Sequence, residues 1–161
     1  MTKKLIFLLV LLSATAGMTF AFGVTDAKSV VTHGAGLIWE TDFEAAQAKA
    51  KASGKPMLLD FTGSDWCGWC IRLDKEVFSK PEFAAFASQA LVLVELDFPR
   101  GKPQSEAIKK QNEALAQKYG VRGFPTILLL SADGKLLAET GYQKGGAAKY
   151  VAHLKELLAG K

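Results

Sequence analysis

The sequence predicts an α/β domain with a central mixed β-sheet flanked by helices. Three observations carry that expectation. Met57-Leu58-Leu59-Asp60-Phe61 and Leu91 to Leu96 are apolar along almost their whole length, the pattern of strands buried on both faces. Helical patterns alternate with these runs, so strand–helix–strand units and parallel pairing follow. Near the end, Asp133-Gly134 separates two strand-like runs as a hairpin turn does. The 161 residues suit one domain with a core of its own. A chain 49% hydrophobic and 22% charged is not disordered, collagen-like or a coiled coil. Its net charge of +4 shows no basic cluster, so nucleic-acid binding gains no support.

Lys3 and Lys4, the apolar run Leu5 to Leu12 and the small residues Ser13 to Gly17 read as a secretory signal peptide over residues 1–21. Cleavage is expected after Ala21, with Ala16 as the other site. The competing reading is an uncleaved anchor, because no charge falls between Leu5 and Thr25. Residues 22–36 lack periodicity and read as a linker or ordered arm, and the domain is placed at 37–161.

Leu37-Ile38-Trp39 is a short strand. Thr41-Asp42-Phe43-Glu44 has the Thr-x-x-Glu form of a capping box, and the helix it opens stops near Gly54. After the Met57 to Phe61 strand a helix opens around Cys67, with Ile71, Leu73, Val77 and Phe78 as its inward positions. Ser79 is expected to cap the next helix, with Pro81 in its first turn. The Leu91 to Leu96 strand follows, then a loop over Pro99 to Pro103. A helix from about Ser105 to Tyr119 turns Ile108, Leu115 and Tyr119 inward and stops at Gly120. Thr126 to Leu130 and Lys135 to Thr140 form the hairpin. Ala147 to Leu158 closes the domain, with Tyr150, Leu154 and Leu157 inward.

Cys67-Gly68-Trp69-Cys70 holds both cysteines of the chain. Residues three apart on a helix have Cβ atoms about 5–6 Å apart, so the pair can open and close without rebuilding the fold. At the first turn, free N–H groups and the helix dipole favour a thiolate. Cys67 is therefore the expected exposed nucleophile and Cys70, one turn deeper, the resolving thiol. Structural zinc needs four ligands, and His33 and His153 show no ligand spacing. Haem attachment needs a His where Ile71 stands. A static disulfide closing so small a loop stabilises little. No metal and no cofactor is implied.

Asp60 is the only charge between Pro56 and Asp65, on a strand read as buried. Burial raises a carboxyl pKa, which suits proton exchange with Cys70; the alternative is a cap or a wet pocket. In Gly123-Phe124-Pro125-Thr126 the proline precedes a core strand. It is either a cis residue whose backbone pairs with a substrate chain or an ordinary trans turn proline. Trp66 reads as packed beside the dithiol, and Trp69 as an exposed ring suited to a partner protein. Trp66, Gly68, Trp69, Phe124 and Pro125 are the expected substrate-binding residues.

Leu59-Asp60-Phe61 leading to Trp66-Cys67-Gly68-Trp69-Cys70, then Tyr119-Gly120-Val121-Arg122-Gly123-Phe124-Pro125-Thr126, resembles the thioredoxin superfamily over roughly residues 37–158. Within it the chain is similar to exported thioredoxin-like proteins and to the C-terminal domain of the membrane disulfide reductase DsbD. The resemblance implies a thioredoxin fold, Cys67 as nucleophile, Cys70 as resolving cysteine, Asp60 as the family's buried acid and Pro125 as its cis-proline. Four departures stand out. One more residue separates Asp60 from Cys67, the pair between the cysteines is Gly-Trp and not Gly-Pro, the Pro99 to Pro103 loop looks inserted, and the lysine that often accompanies the acid on the next strand is replaced by Leu93.

The expected activity is thiol–disulfide exchange with protein disulfides outside the cytoplasm, by a monomer. The resemblance favours the reductive direction, which needs a membrane electron donor. An oxidase or isomerase of folding proteins, and a non-catalytic binding or chaperone module, are the alternatives.

Overall fold

The computed structural model describes residues 30–160. The expected signal peptide and residues 22–29 of the arm lie outside the described residues. The described chain forms a six-stranded sheet in the order β1-β2-β4-β3-β5-β6. Its strands are β1 (Val30–Thr32), β2 (Ile38–Glu40), β3 (Met57–Thr62), β4 (Val92–Asp97), β5 (Thr126–Leu130) and β6 (Leu136–Thr140). β4 pairs parallel with β2 and β3, while β1/β2, β3/β5 and β5/β6 are antiparallel. The sheet is thus mixed, as expected. The arm contributes β1, a strand too short for its pattern to be read.

Five helices pack on it: α1 (Phe43–Ser53), α2 (Gly68–Leu73), α3 (Pro81–Ala90), α4 (Glu106–Tyr119) and α5 (Gly146–Leu158). Every residue of β3 is buried, because helices cover both faces. Alternation along the strands divides the core. Leu58, Leu93, Ile127 and Leu129 face Phe78, Phe83, Tyr150 and Leu154 of the α2–α3–α5 side. Leu59, Val94, Leu96 and Leu128 face Phe43, Ala46, Ala50 and Leu115 of α1 and α4.

Helix ends follow local chemistry, with two corrections. Asp42, not Thr41, caps α1: its carboxylate accepts the Ala45 N–H at 3.0 Å. Lys80, not Ser79, is the N-cap position of α3, with Pro81 in the first turn. Ser79 is otherwise engaged, its hydroxyl 3.2 Å from both Asp74 oxygens. Gly54 and Gly120 end α1 and α4 in the left-handed region, at φ 69° and 68°.

The third correction concerns Ile71, which is 46% exposed although Leu73, Val77 and Phe78 are buried. α2 continues directly into a π-helical turn over Asp74–Phe78. There the Ser79 N–H donates to the Asp74 carbonyl five residues back, at 2.8 Å. The wider turn adds a residue, so positions seven apart no longer share a face and Ile71 rotates to solvent.

Phe78 sits at the end of that turn, with ring centroids 5.0 Å from Trp39, 4.9 Å from Phe83 and 6.1 Å from Tyr150. Phe78→Ala is expected to lower unfolding free energy by about 3–5 kcal/mol in urea denaturation, as large core truncations do. Ile71→Ser is expected to stay within about 0.5 kcal/mol of wild type. Equal effects from the two would show that the register of this helix is wrongly described.

Candidate active site

β3 ends at Thr62, and Gly63 to Asp65 turn the chain into α2. The Trp66 and Cys67 N–H groups both donate to the Gly63 carbonyl, at 3.1 and 2.8 Å. Gly63 also admits the Trp66 indole, which would come within 2.5 Å of a Cβ placed there. Cys67 is then the N-cap of α2, and its sulfur accepts the Cys70 N–H at 3.3 Å. The two sulfurs are bonded, with the Cα atoms 5.2 Å apart. Cys67 is 7% exposed and Cys70 4%, so neither is open in this oxidised state. The expected exposure of Cys67 is corrected: its sulfur is turned back onto the first helical turn by the bond and by that N–H contact.

Asp60 lies on β3 on the same face as Leu58, and it is buried with Oδ1 unpartnered. Burial pushes its carboxyl well above the usual range. Glu95 pushes it further the same way, and His33 opposes them. The strand register corrects the expectation about its neighbour: Glu95 stands opposite Asp60, whereas Leu93 stands opposite Leu58. The place beside the buried acid is thus held by a second acid.

His33, dismissed above as a zinc ligand, joins this group. Its Nδ1 lies 2.9 Å from Asp74 Oδ1, and its Nε2 contacts Glu95 Oε2. Burial disfavours its charge, but the hydrogen bonds it donates to Asp74 and Glu95, and their negative charges, outweigh it, pushing His33 up to about 10. The same hydrogen bond, ahead of opposing burial, holds the Asp74 carboxyl below its ordinary range. Among the described residues, no grouping of His, Cys, Asp and Glu is arranged to hold a metal ion.

The expected aromatics flank the disulfide. The Trp66 Nε1–H donates to the Phe98 carbonyl at 2.8 Å, and the ring meets Phe124 edge-on at 6.0 Å. Arg100 stacks over it at 3.8 Å. Trp69 is 53% exposed, as expected. One side of it is nevertheless supported by Tyr142, with centroids 5.2 Å apart, and by Arg72 at 5.5 Å. Glu76 fastens this group, bonding Arg72 Nε at 2.7 Å and accepting the Tyr142 hydroxyl at 2.6 Å. The Phe124–Pro125 peptide is cis, directly before β5. Gly68 opens α2 with free space around it.

The Pro99 to Pro103 loop is held against the dithiol turn. Asp65 accepts the Arg100 N–H at 3.0 Å and the Gly101 N–H at 2.6 Å. Asp97 accepts the Ser64 N–H at 2.9 Å and its hydroxyl at 2.6 Å. Sequence reasoning missed His33, Glu95, Arg72, Arg100 and Tyr142. For Glu95 a signal existed, since it is a lone acid in an apolar run, as Asp60 is. For the others, which depend on distant segments meeting, none did.

A family model described as a thioredoxin-like domain matches residues 43–157. The chain is 42% identical over 124 residues to the disulfide bond reductase DsbH of Chlamydia pneumoniae, covering 77% of this chain and 74% of that one. It is 35% identical to the thiol:disulfide interchange protein DsbD of Klebsiella pneumoniae over 72% of this chain, but spans only 18% of that longer protein. Among solved structures, one described as DsbH oxidoreductase superposes with a TM-score of 0.73 at 37% identity, covering 84% of this chain and 90% of that one. With a cysteine pair at bonding distance on a mixed sheet of this topology, the chain belongs to the thioredoxin-like family and is a thiol–disulfide oxidoreductase of the Dsb type.

Proposed function

We propose that the chain is an exported disulfide reductase that, as a monomer, reduces protein disulfides with electrons supplied by a membrane donor dithiol. The observation that carries the direction is the likeness to a relative named as a disulfide bond reductase along 77% of this chain. Export is supported by the charged start, apolar run and small residues of 1–21. The exposed, braced ring of Trp69, the Trp66–Phe124 wall, Gly68 and the backbone before β5 at Pro125 form the surface for an extended substrate chain.

In the cycle, the Cys67 thiolate attacks one sulfur of the substrate disulfide, and the other sulfur leaves as a thiolate. Cys70 gives its proton to Asp60 and attacks the Cys67 sulfur. The second substrate thiol leaves, and the Cys67–Cys70 bond closes. Asp60 then passes its proton to a departing thiolate. Two electrons from the donor dithiol reopen the pair. An acid whose proton affinity is raised by burial is matched to this step, because it takes and returns a proton more readily than an ordinary carboxylate does.

Insulin reduction with dithiothreitol is expected to collapse to background in Cys67→Ser, while Cys70→Ser accumulates a Cys67 mixed disulfide visible by non-reducing electrophoresis. Turnover equal to wild type in Cys67→Ser would leave only a binding or chaperone role.

Glutathione titration should place the couple on the reducing side. A potential near about −120 mV, that of a strong oxidant, would reverse the assigned direction.

Asp60 should also mark the pH dependence of stability. Its folded pKa lies above the unfolded value of about 3.9, so its favourable contribution is present below that value and is lost as pH rises through the folded one. Asp60→Asn is therefore expected to raise unfolding free energy by about 1–3 kcal/mol at neutral pH and by less in acid. The same variant should slow release of mixed disulfides by at least about 100-fold. A variant no more stable than wild type at neutral pH would mean that the carboxyl is solvated.

A further inference from the structure

His33 reaches the active site from outside the strand and helix that carry it. The arm turns through a short 3-10 segment, Gly34–Gly36, between β1 and β2. The His33 N–H donates to the Leu37 carbonyl at 3.1 Å. Gly34 lies so close to Ser79 that an added Cβ would sit 2.7 Å from the Ser79 Cβ. The imidazole packs on Trp39, with ring centroids 5.2 Å apart, and bridges Asp74 of the π-turn to Glu95 of β4. Two of these partners, Asp74 and Ser79, are also joined to each other. The ring is thereby held on three sides, by Trp39, Asp74 and Glu95.

Charges around Asp60 are one-sided. Glu95, Asp74 and Asp97 act on it as acids, and among the described residues His33 is the cation that acts against them. From α5, Tyr150 packs on this face, and its hydroxyl donates to the Gly141 carbonyl at 3.1 Å. Burial, and then Asp60, hold the Tyr150 phenol far above its ordinary range, so it supplies no charge. Loss of the imidazolium would leave several acids facing one another around a desolvated carboxyl, where like charges repel strongly.

We propose that His33 is a positioning residue for the redox couple: clamped between Asp74 and Glu95, it is the counter-charge that sets how Asp60, and through it the Cys67–Cys70 dithiol, responds to pH. The proposal rests on Cys67–Cys70 being a working redox couple. The residue does not touch the reacting sulfurs. It acts on proton movement that accompanies reduction, in which the disulfide takes up two electrons and each sulfur that leaves the thiolate state takes up one proton. The arm is thus part of the electrostatics of the site as well as an edge of the sheet.

The test uses the full chain in its reduced form and reads the rate of Cys67 alkylation by iodoacetamide across about pH 5 to 9. In His33→Gln the midpoint is expected to move up by about one pH unit, so that alkylation at a fixed pH below it falls about tenfold. His33→Lys, which restores the charge, should return the profile to within about twofold of wild type. A purely structural role would lower the stability of the Gln variant and leave its midpoint where it was, and that result overturns the proposal. So does a Lys variant that behaves like Gln. If the Gln variant does not fold, the wild-type imidazole carbon shifts decide: a ring protonated well past neutrality sustains the proposal, and an ordinary midpoint near about 6.5 ends it. Insulin reduction by the wild type runs alongside. Turnover no greater than that of Cys67→Ser overturns the redox reading itself, whereas turnover with an unchanged His33→Gln profile overturns only the part given to His33.

Discussion

The Asp60 carboxyl lies in a strand with helices on both sides, and one of its oxygens has no hydrogen-bond partner. Burial disfavours the charged form of that carboxyl and raises its affinity for a proton. What surrounds Asp60 follows from that condition. Glu95 in register on β4 deepens the preference for the protonated acid, and the imidazole of His33 limits it. The dithiol sits at the start of the helix that β3 leads into, so the one strand carries the buried acid and delivers the chain to the Cys67–Cys70 pair. Geometry and proton affinity are thus set by the same burial.

A second set of constraints works on the rim. Asp65 and Asp97 use their carboxylates on backbone N–H groups rather than on cations. Arg100 is left to lie across Trp66, and Arg72 across Trp69 and Tyr142. Each guanidinium braces an aromatic ring beside the disulfide. Stacked pairs of this kind keep a ring presented to solvent without letting it collapse onto the core. The backbone N–H groups of Arg100 and Gly101 hold the Asp65 carboxyl below its ordinary range.

Most of the sheet and helix order was legible, because the strands are apolar runs and the helices have periodic faces ending at glycines. The dithiol and Asp60 were legible for a related reason: each breaks its local pattern. Glu95 breaks its pattern in the same way, yet its partner depends on the register between β3 and β4, which no single strand reveals. Leu93 lies two residues away from Glu95, opposite Leu58. His33 was beyond reach because its role is created by a turn in the arm and by strand β1, whose three residues carry no readable alternation. Thr41 and Ser79 were plausible caps, but Asp42 and Lys80 hold those positions, since Ser79 already answers to Asp74.

The misplaced Ile71 shows how one local irregularity joins these layers. A regular α-helix from Gly68 to Phe78 would bring Ile71 and Phe78 to one face, seven residues apart. The π-turn instead aligns Leu73 with Phe78, five apart, and both are buried. Turning Ile71 outward leaves Cys70 and Leu73 as the buried residues of α2, directly above the sheet face that carries Asp60. The same widening places Asp74 where its side chain meets His33 while its carbonyl accepts the Ser79 N–H. An extra residue in one turn therefore seats Cys70 against the core and gives the arm its anchor. A deletion that restored regular helix there would be opposed at both ends, by the apolar face it would expose and by the imidazole it would strand.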